Sequence, residues 1–231
     1  MLPNAPAYLA AIVLLEGAAF QHPRHRVEML FAADYYPNEI SAVTGETWYG
    51  LFPLGAKWQL ALTKIRVEPL TAGCIRNGQR VTVDRPEHPL LLLRGLPALR
   101  LGAIEAAPVA RLRLRPGEHR DFQIAGRHFR VAASGGGPGQ EIRDYELRLI
   151  NVNTGASQAV VTAHRQELFM PSMAVLPEII WIGDLDRDGQ PDLFLDVNTG
   201  EGPGHWVLYL SSEAGPRGLV GQVAKYDGVD C

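Results

Sequence analysis

From residue 27 onward the apolar positions recur mostly at every second residue, in short runs closed by glycine, proline or asparagine. That period is the signature of strands rather than of helices. Thr47-Trp48-Tyr49-Gly50-Leu51-Phe52 is aromatic-rich and bounded by Gly45 and Pro53. Trp58, Leu60 and Leu62, then Ile65 and Val67, alternate on opposite sides of a slip near Thr63-Lys64, which predicts a β-bulge. Val81-Thr82-Val83 and residues 90–93 are short strands, and residues 109–115 alternate strictly. Residues 119–124 and 128–132 flank Ala125-Gly126-Arg127, which predicts a tight hairpin. The glycine-rich segment 133–139 reads as a flexible hairpin tip. Tyr145, Leu147 and Leu149 then alternate with Asp144, Glu146 and Arg148 along a half-buried strand. Residues 157–163 form another strand, and residues 165–168 a single helical turn. Residues 178–182 and 193–197 are strands on either side of a polar loop, and residues 207–212 close the pattern.

The predicted fold is mainly β: one antiparallel β-sandwich or partly open barrel over residues 27–231, with no internal repeat. The 24 glycines and 17 prolines support many short strands joined by turns. An apolar share of 46% against a charged share of 20% is that of a folded chain. A formal charge of −3 argues against a nucleic-acid binder. The basic run Arg111-Leu112-Arg113-Leu114-Arg115 alternates with leucine and reads as one solvated strand face.

Residues 1–20 are largely apolar, with Gly17-Ala18-Ala19 where a secretory signal would be cleaved; residues 21–26 form a polar linker. Glu16 and the lack of a basic residue before Arg24 leave a buried N-terminal helix as the alternative. The signal reading predicts an exported protein, periplasmic or extracellular. Downstream no apolar run is long enough for a membrane span, so the mature chain should have none. In an exported protein Cys231, as an exposed terminal thiol, is expected to pair with Cys74.

The polar loop carries the clearest chemistry. Asp184, Asp186 and Asp188 crowd carboxylates at alternate positions, with Asp192 on the same parity four residues on, a set that calls for a neutralising cation. Oxygen-only ligands point to a hard ion, Ca²⁺ before Mg²⁺. An EF-hand needs flanking helices and an acid at loop position 12, which here is Leu195. A strand-flanked loop over 184–192 is predicted instead. Asp184, Asp186 and Asp188 give carboxylate oxygens, Gln190 its backbone carbonyl, and Asp192 a bidentate closure. Gly189 sits where the chain must reverse at positive φ, Arg187 points away, and Asp196 is placed in an outer shell.

Residues 183–193, Gly-Asp-Leu-Asp-Arg-Asp-Gly-Gln-Pro-Asp-Leu, resemble the calcium-binding loop of FG-GAP/VCBS-type repeats. The resemblance implies Ca²⁺ and covers only that motif. No flanking FG or GAP signature and no array of blades accompany it, so a full propeller is not expected. The whole chain resembles exported bacterial proteins with one such loop before a final strand, here Val207-Leu208-Tyr209-Leu210-Ser211-Ser212; that likeness implies no activity.

No catalytic residue is assigned. Gly-x-Ser-x-Gly and His-Glu-x-x-His are missing from the sequence, and Ser134 beside glycines lacks a strand-to-helix context. The expected function is therefore that of a Ca²⁺-binding exported domain. The ion would stabilise a strand-loop-strand corner, in a binding or adhesion module for an extracellular protein or glycan. The alternative is a Ca²⁺-dependent hydrolase with its site near Glu201 and His205. A third reading is an intracellular structural protein.

Overall fold

The computed structural model describes residues 27–70, 75, 77–109, 111–136, 142–166, 176–197 and 204–228. The predicted signal segment, the linker, Cys74, Cys231, Glu201 and the tip of the glycine-rich hairpin lie outside the described residues. Within them the regular elements are all strands: β1 (Glu28–Leu30), β2 (Asp34–Tyr35), β3 (Thr47–Leu54), β4 (Lys57–Leu70), β5 (Gly78–Val83), β6 (Leu91–Arg94), β7 (Gly102–Ile104) and β8 (Leu112–Arg113). There follow β9 (His119–Ile124), β10 (Arg127–Gly136), β11 (Ile142–Asn151), β12 (Ser157–Gln166), β13 (Glu178–Gly183), β14 (Asp192–Asp196), β15 (His205–Leu210) and β16 (Gly221–Asp227). Among the described residues no helix is long and apolar enough to cross a membrane.

Three antiparallel sheets result. An N-terminal sheet runs β1-β6-β3-β4-β5-β2, with β7 also on β4; a hairpin sheet runs β12-β11-β10-β9; a third runs β16-β15-β14-β13-β8. The third sheet is the middle layer, because both of its faces are covered. Ile179, Ile182, Leu193 and Leu195 pack against Phe122, Phe129, Val131, Tyr145, Leu147 and Leu149 of the hairpin sheet. Trp181, Phe194, Leu208 and Leu210 pack against Leu51, Leu60, Leu91 and Leu93 of the N-terminal sheet. The switch of faces within β13 comes from a register shift between Ile179 and Trp181, where Ile179 opposes Leu195 and Trp181 opposes Phe194. This double cover is why β14 reads Leu-Phe-Leu without polar interruption.

The bulge expected near Thr63-Lys64 is not there. β4 pairs continuously, Lys64 opposite Thr47 and then Ile65 opposite Val83. Leu62 is instead exposed at 45%, and the buried face changes because the strand passes from one core to another. Leu60 faces the middle sheet, whereas Ile65 joins Trp48, Val81 and Leu92 in a separate cluster on the far side of the N-terminal sheet. This long strand shared by two sets of neighbours curls the sheet on itself. Two further expectations change. Arg165 and Gln166 continue β12 opposite Arg143 and Ile142 rather than starting a helical turn. The strand expected over 109–115 shrinks to Leu112–Arg113, because Arg111 has φ +47°; both Arg111 and Arg113 turn toward Glu178.

The hairpin at residues 124–127 closes with two residues, Ala125 (φ +49°) and Gly126 (φ +72°). Two positive values match the type I′ turn, whose twist suits flanking strands. At one end of the edge strand β12, Gln158 uses its side-chain amide as a strand would use its backbone. Its Oε1 accepts from Leu219 N and Val220 N, and its Nε2 donates to Val220 O at 2.9 Å.

Phe194 is 1% exposed at the centre of the middle sheet, and Leu54 is 55% exposed at a hairpin end. Urea denaturation of Phe194→Ala should show a loss of about 3–5 kcal/mol. Leu54→Ala should stay within about 0.5 kcal/mol of the wild type.

Candidate metal centre

The polar loop bridges β13 and β14, where Gly183 opposes Asp192. It keeps the two-residue period of the strands it joins. Leu185 is fully buried in the core toward the N-terminal sheet, while the carboxylates at 184, 186 and 188 turn the other way and converge. Their candidate ligand oxygens lie within 4.8 Å of one another. One Ca²⁺ with oxygens at about 2.3–2.6 Å spans ligands up to about 5 Å apart, so one ion can reach all three.

Backbone donors fix the loop from inside. Asp184 Oδ2 accepts from Gly189 N at 3.0 Å, and Asp188 Oδ1 from Gln190 N at 2.8 Å. Asp192 Oδ2 accepts from Leu185 N at 2.6 Å, closing the loop across its mouth. Gly189 has φ +77°, as the sharp reversal requires, and Arg187 also lies in the left-handed region at +64°. The Arg187 side chain points away from the carboxylates and donates to Leu101 O at 2.8 Å. A bridge between Ala106 and Gly183, with Asp184 N donating to Glu105 O at 2.9 Å, fastens the start of the loop to the chain leaving the N-terminal sheet. The loop thus stands at a joint between layers.

Two further side chains belong to this cluster. Ser211 Oγ donates toward Asp188 Oδ2 at 2.9 Å and Asp192 Oδ1 at 3.0 Å, and Ser211 N donates to Asp192 Oδ1 at 2.7 Å. Ser212 Oγ is hydrogen-bonded to Asp186 Oδ2. With these bonds counted, Asp184 Oδ1 and Asp186 Oδ1 remain buried with no hydrogen-bond partner. Both residues are only 7% exposed, and an uncompensated buried carboxylate oxygen is costly. Burial first, and then the charges of Asp188 and Asp186, hold the Asp184 carboxyl above the usual aspartate range, against the opposing Gly189 N–H bond. Asp192, fully buried, is pushed well up by burial and by Asp186, against the donors Ser211 and Leu185.

The predicted ligands do not all occupy equivalent places. Asp184, Asp186 and Asp188 form the convergent triad. Asp192 lies beneath it with both oxygens accepting protein donors, so here it serves as the clamp of the loop. Gln190 is held by its N–H on Asp188. Asp196, expected in an outer shell, is at the far end of β14, about 13 Å along the strand from Asp192, where its Oδ1 accepts from His205 N. His205 likewise opens β15, whereas Ser211 follows its last residue, so the histidine is about 20 Å along the strand from the loop. His205 pairs there with Asp227, which also binds Lys225. The two serines went unassigned because they come from a different strand. Strand register could have found them: Leu193 opposes Tyr209, which carries Ser211 to the level of the loop.

Comparisons with protein-family models, curated proteins and solved structures find no match to this chain.

The raised carboxyls set the sign of a pH response. In the metal-free protein the folded state holds protons on Asp184 and Asp192 above the ordinary value of 3.8, so stability falls as pH rises through the shifted range. Urea midpoints measured in EGTA should therefore rise as pH is lowered from 7 toward 5. Asp192→Asn should flatten that slope. At lower pH the trend should reverse, as Asp34, Asp84 and Asp121, whose carboxyls are held low by their hydrogen-bond donors, become protonated.

Proposed function

We propose that this chain is a Ca²⁺-binding β-domain in which the ion joins β13 to β14 and fixes the corner between layers. The observation that carries the reading is the pair of buried, unpartnered oxygens, Asp184 Oδ1 and Asp186 Oδ1, within the convergent triad. A bound cation gives both oxygens a partner and removes the repulsion that raises Asp184. Ca²⁺ is preferred to Mg²⁺ because an irregular loop of carboxylates and carbonyls suits its six to eight flexible ligands. Mg²⁺ instead demands a near-ideal octahedron and keeps its waters. The Asp188 carboxylate, the Gln190 carbonyl and water are the remaining donors, while Asp192, with both oxygens accepting protein donors, holds the loop around them.

The likeness of residues 183–193 to FG-GAP/VCBS loops supports the same ion. With the signal-like N-terminus it also supports an exported protein working where Ca²⁺ is abundant. The role that fits is a binding or adhesion module for an extracellular protein or glycan, with the ion as structural support.

Extracellular Ca²⁺ modules bind with dissociation constants near 0.1–1 mM. At 1 mM Ca²⁺ and about 0.1 mM affinity, linkage adds about 1.4 kcal/mol, a rise in Tm of about 3–6 °C. Thermal unfolding in EGTA, in Ca²⁺ and in Mg²⁺ should show that rise with Ca²⁺ and a smaller one with Mg²⁺. Asp186→Asn should lose most of it without melting earlier in EGTA, since one like charge has gone. A wild-type Tm equal in EGTA and Ca²⁺ overturns the reading.

A further inference from the structure

We infer that Ser211 and Ser212 are positioning residues of the metal centre, whose hydroxyls select the carboxylate oxygens offered to the cation. This rests on the metal reading above. The two serines follow β15 directly, and the pairing of Leu193 with Tyr209 brings them beside the loop from a neighbouring strand. Each carboxylate of the cluster has two oxygens, and in Asp184 and Asp186 only one of the two is engaged. Asp186 Oδ2 is bonded to Ser212 Oγ, and Asp186 Oδ1 is left without a partner. Asp184 Oδ2 is bonded to Gly189 N, and Asp184 Oδ1 is left in the same way. A carboxylate tied through one oxygen is held with the other turned free, and swinging both toward one ion would strain that bond. Asp184 and Asp186 are thereby set as one-oxygen ligands, with Oδ1 as the atom.

Ser211 acts on the other two acids. Its hydroxyl oxygen lies 2.9 Å from Asp188 Oδ2 and 3.0 Å from Asp192 Oδ1, within donating reach of both, and its N–H secures Asp192 Oδ1 at 2.7 Å. A neutral donor shared by two carboxylates draws them together and offsets part of their repulsion before an ion arrives. Loop residues alone cannot do this, because the backbone N–H groups within the loop are directed at Asp184 Oδ2, Asp188 Oδ1 and Asp192 Oδ2. The strand-end hydroxyls serve the complementary oxygens. Groups that orient metal ligands from outside the coordination sphere commonly change affinity by about 10–100-fold.

The test is a calorimetric Ca²⁺ titration of the full chain carrying Ser212→Ala, Ser212→Thr, Ser211→Ala or the control Ser157→Ala, with each Tm recorded in EGTA. Ser212 is exposed, so its alanine variant should fold; Ser157 binds Arg148 on a distant strand. Ser212→Ala should weaken Ca²⁺ binding about 10–100-fold with little change of Tm in EGTA, threonine should restore it, and Ser157→Ala should bind as the wild type. Wild-type affinity in both Ser212→Ala and Ser211→Ala overturns the inference and leaves the metal reading standing. A wild type that takes up no Ca²⁺ removes the metal reading, and the inference with it.

Discussion

Like charges set within 4.8 Å of one another repel by on the order of 3 kcal/mol per pair at an effective dielectric near 20. The loop between β13 and β14 accepts that repulsion in a place where Asp184 and Asp186 are nearly buried and Asp192 is fully so. Nothing in a folded chain arrives at such an arrangement through packing alone, since apolar residues of similar size would fill the same corner more stably. The surrounding structure shows how the acids are kept there. Leu185 is sunk in the core between two of them, Arg187 is tied back to Leu101, and Ser211 and Asp192 lock β15 to the mouth of the loop. A loop so anchored keeps its oxygens converged instead of splaying them into water.

That anchoring is possible because the loop grows out of the middle sheet. β13 and β14 are packed on both faces, so the loop starts and ends on well-buried strands. Residues 105–107 and Leu112–Arg113 line the outer edge of β13, the first bonding Asp184 N and the second pairing Ile179. The three layers are therefore stitched together by the same stretch of chain that fastens the loop.

Much of this could be read from the residues. The two-residue period located most strands of the hairpin and middle sheets, and the alternation of Asp184, Asp186 and Asp188 marked the three that converge. Gly189 at positive φ followed from the reversal. What could not be read depended on partners remote in sequence. Leu62 and Ile65 suggested a bulge only because one continuous core was assumed, whereas β4 serves two. Asp196 shares the parity of Asp192, yet parity says nothing of distance along a strand. The serines were visible as residues but not as hydrogen-bond donors, because their place beside the loop is fixed by strand pairing. β1, β2 and β7 are too short to show an alternation of their own; each exists because a longer neighbour offers it an edge.

Edges are where a stack of sheets is most open to unwanted company. Among the described residues β12 borders the hairpin sheet, with no strand paired to the outer side of its backbone. An exposed edge of that kind is a template on which another chain can add a strand. Gln158 blunts it at one end by gripping Leu219 and Val220 through its amide, and it brings the segment ahead of β16 across the opening. A single side chain thus takes the part of a neighbouring strand without extending the sheet. The fold gains a guard against self-association at the price of one glutamine.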